Sequence, residues 1–257
     1  MGKDKKLFGF NKNVTVAGFV SFFMDISSEM IYPLVPLFLA NVLGVNKSVI
    51  GLIEGVAEST ASLLKVFSGW FSDRIGNRKW LMAAGYGIST LSRPFVAVAS
   101  MWQHVMGSRF IDRFGKGIRT APRDALIAES ADRTHLGRAF GFHRAMDTMG
   151  AVVGPALAFF FLGLFSNDYR TVFWLSMIPG VIAVLLIIFL ITEKKKAATA
   201  HTEKPKLAIK HFDWRFKFFV IIAGLFAVGN SSDVFLILRA EEVGVSTVMI
   251  PVVYLSF

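Results

Sequence analysis

Arg109, Asp112, Arg113 and Lys116 recur at i, i+3, i+4 and i+7, so a helix carries all four on one face. Phe110, Ile111, Phe114 and Ile118 take the other side, and Arg119, Arg123 and Asp124 extend the charged side further along the chain. Two chemistries fit this stripe. Asp112 can bridge Arg109 and Lys116 and neutralise part of it internally, or the stripe can handle ions from a wet interior, since a charged face in an apolar chain must point at one. More ionisable groups sit inside apolar runs: Asp25 and Glu29, Glu54 and Glu58, and Asp147 with His143 and Arg144 one turn away. A carboxyl group in such surroundings is a place where protons load and leave. Each of these acids can instead be the structural partner of a nearby base.

Enzyme chemistry finds no foothold. The absence of Cys removes a thiolate zinc site and a cysteine nucleophile. His104, His135, His143, His201 and His211 have no metal-ligand spacing, so no metal is expected. Gly115-Lys116-Gly117 lacks the preceding Gly and the Ser/Thr of a phosphate loop, and neither a nucleophile elbow nor a zinc helix occurs. No catalytic residue and no cofactor is expected.

The elements that would hold these charges follow from hydropathy. Of 257 residues, 54% are hydrophobic and 18% charged, against about 25% charged in an ordinary soluble domain, and 26 are Phe. Mean hydropathy is +0.55. A membrane-spanning helix needs about 20 residues, and runs of that length cover Val14–Ala40, Val49–Ser72, Trp80–Ser100, Gly137–Phe165, Val172–Thr192 and Phe216–Leu238. Met101–Ala128 has the length but is too polar for a hydropathy window, and its neighbours force it to cross. That makes seven spans, with an eighth starting near Ser246.

Basic residues collect in alternate loops. Lys3, Lys5, Lys6, Lys12, Arg74, Arg78, Lys79, Arg133, Arg138 and the lysines of 193–213 lie on one side; the other loops hold only Lys47 and Arg170. By the positive-inside bias the N-terminus is cytoplasmic. This distribution accounts for most of the net charge of +10, so nucleic acid is set aside as a partner. At 1.5 Å per residue, Asp25 lies about 16 Å from the inner end of its helix and Asp147 about 15 Å from its own. Glu58 lies about 15 Å from its outer end, and Arg113 at a similar depth. Arg93-Pro94 reads as a bend or as an Arg reaching the outer side.

Two short elements carry a family resemblance. Gly69-Trp70-Phe71-Ser72-Asp73-Arg74-Ile75-Gly76-Asn77-Arg78-Lys79, between the second and third spans, resembles the loop signature of the major facilitator superfamily, with Asn77 replacing its first basic residue. By that resemblance Gly69, Asp73, Arg74, Gly76 and Arg78 form a cytoplasmic latch between two halves. Gly150-Ala151-Val152-Val153-Gly154-Pro155 is similar to the family's fifth-span Gly-x-x-x-Gly-Pro element, associated with antiporters. Its glycines let helices approach and its Pro bends the helix. Gly51/Gly55 and Gly137/Gly141 share the spacing and read as packing alone. Arg113-Phe114-Gly115-Lys116-Gly117 resembles the fourth-span Arg-x-x-x-Gly element, linked to proton coupling, and the run from Asp112 to Asp124 looks like a bacterial subgroup of the family.

The expected architecture is an all-α polytopic membrane protein. Residues 1–192 make a six-helix half, 193–213 a cytoplasmic linker, and 214–257 the start of a second half. An internal echo, Ser27-Ser28-Glu29 with Leu43-Gly44-Val45-Asn46 against Ser231-Ser232-Asp233 with Val243-Gly244-Val245-Ser246, agrees with that restart. Twelve spans would complete the family pattern, so the chain is expected to be truncated, with membrane lipid and the missing second-half helices as partners. The implied function is secondary active transport of a small solute across the cytoplasmic membrane, ion- or proton-coupled, by efflux or antiport. Asp25, Glu29, Glu58, Arg113 and Asp147 are the coupling or cavity residues. Arg113 would tune the acid that carries the proton, with Asp147 the leading acid and Asp25 nearly level. The cationic fourth span hints at an anionic substrate. The rival reading is a non-transporting bundle, a sensor or scaffold, or an inactive fragment.

Overall fold

The computed structural model describes the backbone of residues 6–7, 9–75, 77–193, 213–229 and 232–256, and the side chains of these except 6–7, 66–67, 69–75, 133 and 227–229. A two-residue antiparallel pair opens the chain: β1 (Lys6–Leu7) and β2 (Phe10–Asn11) turn through Gly9, whose φ of +79° suits a residue without Cβ. Helix α1 (Lys12–Ile31) ends nine residues before the first expected span does, while the helices α3 (Lys47–Ile75), α4 (Arg78–Ala97), α5 (Trp102–Ser130), α6 (Leu136–Leu164) and α7 (Tyr169–Leu190) match the second to sixth expected spans to within a few residues.

Pro33 lacks a backbone donor, so the chain turns at Tyr32-Pro33 and resumes as the short α2 (Leu34–Leu37) and a wide π-type turn at Phe38–Val42. Among the described residues, Lys12–Val42, Leu136–Leu164 and Tyr169–Leu190 are long and apolar enough to cross a membrane by composition. α4 and α5 are polar because they turn polar side chains inward: Ser89, Thr90, Ser92 and Arg93 on α4, and Ser108, Arg109, Asp112 and Arg113 on α5, are all buried. Phe110, Ile111 and Phe114 stay on the exposed side of α5, as expected.

The six long helices pack in the spatial order α3, α5, α4, α7, α1, α6. Exchanging α1 with α5, α3 with α6 and α4 with α7 reproduces that order, which is the pattern of two related three-helix units. Glycines set the tight seams. A Cβ on Gly115 would lie 2.5 Å from the Gly85 carbonyl oxygen, and one on Gly117 2.5 Å from Leu64 Cβ. On α6, a Cβ at Gly150 would lie 2.5 Å from the Phe22 carbonyl, and one at Gly154 2.8 Å from Glu29 Cβ. The fifth-span element thus fits against α1. Gly55, Gly137 and Gly141 have nothing within 4 Å, so only Gly51, which meets the Phe235 ring, packs among those other repeats.

The seventh expected span is broken. α8 (Trp214–Gly229) and α9 (Asp233–Glu242) take its place, and residues 230–231 between them lie outside the described residues. A single helical turn at Thr247–Met249 leads into α10 (Ile250–Tyr254). α9 and α10 lie across the end where α1 and α2 finish, adding Val234, Ile237, Leu238 and Ile250 to the core there. The internal echo has a shared geometry: Gly44 (φ +64°) and Gly244 (φ +97°) both end helical runs left-handed, with Val45 N–H donating to Leu39 O at 2.9 Å and Val245 N–H to Ala240 O at 3.1 Å. Residues 194–212, most of the expected linker, lie outside the described residues.

Candidate functional site

The charged stripe of α5 is real, but it is neutralised across helices. Arg109 donates through Nη2 to both oxygens of Glu54 on α3, at 2.5 and 2.6 Å, with both residues buried. Asp112 pairs with Arg93 of α4 at 3.3 Å and with its neighbour Arg113 at 3.7 Å. Two expectations are corrected here. Asp112 does not bridge Arg109 and Lys116, and Arg93 does not reach the outer side: at 1% exposure it is sealed between α4 and α5. Interior acids on adjacent helices win because pairing within one exposed helical face contributes only a few tenths of a kcal/mol, whereas an unpaired interior charge costs several.

Arg113 bonds Glu58 at 2.7 Å, although the Glu58 side chain is 58% exposed. This brings two expected site residues together. The basic residues whose charge acts on Asp25 are Arg119 and Lys116, while Arg113 is held by Glu58. Arg119 donates to Ser89 Oγ at 2.7 Å, and its guanidinium lies 4.4 Å from the Tyr86 ring centre. Arg123 pairs with Asp124 at 3.0 Å. The ammonium of Lys116, between Arg113 and Arg119, forms no ion pair or hydrogen bond among the described residues; the acids whose charge reaches it are Asp112, Asp25 and Glu29.

Across from this wall, the Gly150–Gly154 seam brings α1 and α6 together and sets Asp25 and Asp147 face to face within hydrogen-bonding reach. Asp147 also lies 3.6 Å from Arg144 and 4.0 Å from His143. His143 Nε2 is 2.7 Å from Ser21 Oγ, so a polar string runs Ser21–His143–Asp147–Asp25 between the two helices. Glu29, one turn along α1, accepts a hydrogen bond from Tyr254 Oη at 2.9 Å. Sequence reasoning missed Tyr254 because an aromatic in a short apolar stretch carries no signal of its own.

The far end of the bundle is closed by α9 and α10. Asn41 donates to Glu241 at 2.6 Å, Lys47 pairs with Glu242, and the tilted rings of Tyr32 and Tyr254 meet with centres 5.4 Å apart. At the near end, where α1 begins, the latch elements are seen in part. Arg78 pairs with Glu129 and, with Lys79, donates its backbone N–H to Glu193. The side chains of Gly69, Asp73 and Arg74, and all of Gly76, lie outside the described residues. Pro155 is buried in α6 beside Gly154. No cluster of metal-ligating side chains occurs among the described residues.

Comparison with known proteins matches this arrangement. The family model of the Major Facilitator Superfamily matches residues 17–257. The MFS-type transporter MJ1317 of Methanocaldococcus jannaschii is 36% identical over 232 residues, covering 90% of this chain and 57% of that protein. The quinolone resistance protein NorA of Staphylococcus aureus is 25% identical over 207 residues, 80% of this chain and 52% of its own. Among solved structures, a POT family transporter in complex with 5-aminolevulinic acid superposes with a TM-score of 0.69 at 16% identity, over 96% of this chain and 50% of that one. A bacterial homologue of the human lysosomal transporter Spinster, inward-facing and unoccupied, gives 0.60 at 17% identity, over 82% and 48%. The chain therefore spans about half the length of the proteins it matches. A match over nearly all of its length means that the chain belongs to the Major Facilitator Superfamily, a family of membrane-embedded, multi-pass transporters.

Proposed function

We propose that this chain supplies the first half, and the beginning of the second, of a secondary active transporter that moves a small solute across the cytoplasmic membrane. Residues 1–192 are the six-helix half, 193–213 the connection, and 214–257 the restart, which the matching caps at Gly44 and Gly244 support. The near end faces the cytoplasm: Lys12, Arg78, Lys79 and Arg138 lie there, against Lys47, Arg170 and the ion-paired Arg239 at the far end. The end closed by α9 and α10 is then the outer one.

The observation that carries the reading is the facing pair Asp25–Asp147. Two carboxylates in contact do not both hold charge cheaply, so the pair is suited to take up one proton and release it as the cavity changes sides. Asp25 and Asp147 are thus the coupling residues, and Glu29 links the coupling wall to the far-end closure through Tyr254. Glu58 and Arg113 are a cavity-side ion pair, and Gly69, Asp73, Arg74, Gly76 and Arg78 the latch. Efflux or antiport is favoured by the Gly150-x-x-x-Gly154-Pro155 seam and by the likeness to a quinolone resistance protein.

The test is flux through the complete protein in proteoliposomes. Asp25→Asn or Asp147→Asn should abolish gradient-driven transport and preserve solute exchange. Asp73→Asn should slow both while insertion stays normal. Gradient-driven flux unchanged in both carboxyl variants would reject the coupling pair and favour the non-transporting bundle or a different driving ion.

A further inference from the structure

We propose that Lys116 is the seat for the anionic group, a carboxylate or phosphate, of the transported solute; this rests on the transport reading and names its substrate class. Along the charged stripe of α5 and the helices beside it stand six cations, Arg93, Arg109, Arg113, Lys116, Arg119 and Arg123, against the four carboxylates Glu54, Glu58, Asp112 and Asp124. Each arginine has a partner: Glu54, Glu58, Asp112, Asp124, or Ser89 with the Tyr86 ring. The ammonium of Lys116 has none. It stands one turn from Arg113 on one side and one turn from Arg119 on the other, so like charges flank it along α5.

The donor surplus appears a second time. Nε of Arg93, Arg109 and Arg113 are buried and bond to nothing among the described residues. Interior donors outnumber acceptors on this side of the bundle, and an interior cation left without an acceptor costs several kcal/mol. The lysine is partly exposed, and Asp25 and Glu29 of α1 act on it by charge without an ion pair. An arriving anion would supply the acceptor that Lys116 lacks, and Glu29 is already held by Tyr254. Lysine suits a cargo that must leave again: as a compact charge on a flexible stem it binds without the fixed fork of an arginine.

The experiment uses the full 257-residue chain in lipid nanodiscs, titrated calorimetrically at constant ionic strength with succinate, inorganic phosphate, tetramethylammonium and glucose. Saturable binding of succinate or phosphate is expected, with none for the cation or the sugar. Lys116→Gln should weaken anion binding about tenfold or more, as loss of one charge-assisted contact implies, and Lys116→Arg should restore most of it. Lys65→Gln, an exposed lysine on α3, should bind like the parent chain. Circular dichroism checks that each variant is folded, and Lys116→Met replaces the Gln variant if that one is not. Equal anion binding by the folded Gln or Met variant and the parent would overturn the proposal, as would a parent chain that binds neither anion. Flux of a neutral or cationic solute through the complete protein, without anion binding, would overturn the anion seat and leave transport standing. Anion binding with no flux of any solute would do the reverse.

Discussion

Arg93 and Asp112 form an ion pair from which water is excluded on both sides, 1% and 3% exposed. Removing Arg93 leaves the buried Asp112 with only its longer contact to Arg113, so Arg93→Met should destabilise the chain by up to about 3–5 kcal/mol. Arg93→Met combined with Asp112→Leu should recover most of that loss, because the pair is replaced by apolar volume; melting in detergent compares the three. A gentler test lies outside the helices. Asp168 caps α7, accepting from Thr171 Oγ1 at 2.5 Å and from the Arg170 N–H at 3.0 Å. The Thr171 bond, and after it the backbone bonds, hold its carboxyl below the usual carboxylate range. A depressed group adds stability above its unfolded value of about 3.9 and loses it as pH falls through the native value. Asp168→Ala should therefore cost about 1 kcal/mol at neutral pH, and its melting temperature should fall less steeply than the parent's below pH 4. The sequence displayed every one of these charges but not their pairings. The i, i+4 spacing offered Asp112 two partners on its own helix, and the partners it takes depend on which helices lie beside α5, which a one-dimensional period does not encode.

Helix existence was legible, since runs of about 20 apolar residues have few alternatives. Even α5, too polar for a hydropathy window, was placed by its neighbours to within two residues at each end. Helix interfaces were not legible. Gly137/Gly141 and Gly150/Gly154 share a spacing on one helix, yet only the second pair touches another backbone. Gly150→Ala should force α6 away from Phe22 and Asp25 and cost about 1–3 kcal/mol, with loss of whatever depends on the Asp25–Asp147 contact. Gly137→Ala should be neutral or stabilising by up to about 1 kcal/mol, as Ala favours helix and nothing opposes its methyl group. Thermal melting of the two variants side by side checks the contrast. The break between α8 and α9 was also hidden, because hydropathy ran on through Phe216–Leu238 without a proline to mark it.

Across the whole molecule, two three-helix units meet along α4 and α7, and the charges divide with them: cations on the α3–α4–α5 side, the Asp25–Asp147 pair between α1 and α6. The far end is pinned by Asn41–Glu241 and Lys47–Glu242. Because the chain has no Cys, the double variant Asn41→Cys with Glu241→Cys should react with a short bifunctional thiol reagent into one internally cross-linked species, read as a shifted band on a denaturing gel. In the complete protein that cross-link should stop flux until it is cleaved; unimpeded flux would mean that this end does not open during transport. The near end has a different fastening. Glu193, the residue after α7 and its short tail, holds the first two backbone N–H groups of α4, at 3.0 and 2.7 Å. Whatever pulls on the chain beyond Glu193 therefore pulls on α4 as well as on α7, and α4 carries Arg93 and Ser89, the anchors of Asp112 and Arg119. The connecting segment is tied to the bundle like a cord to a lever, and tension along it reaches the cation wall by way of a hydrogen-bonded knot rather than through the membrane core.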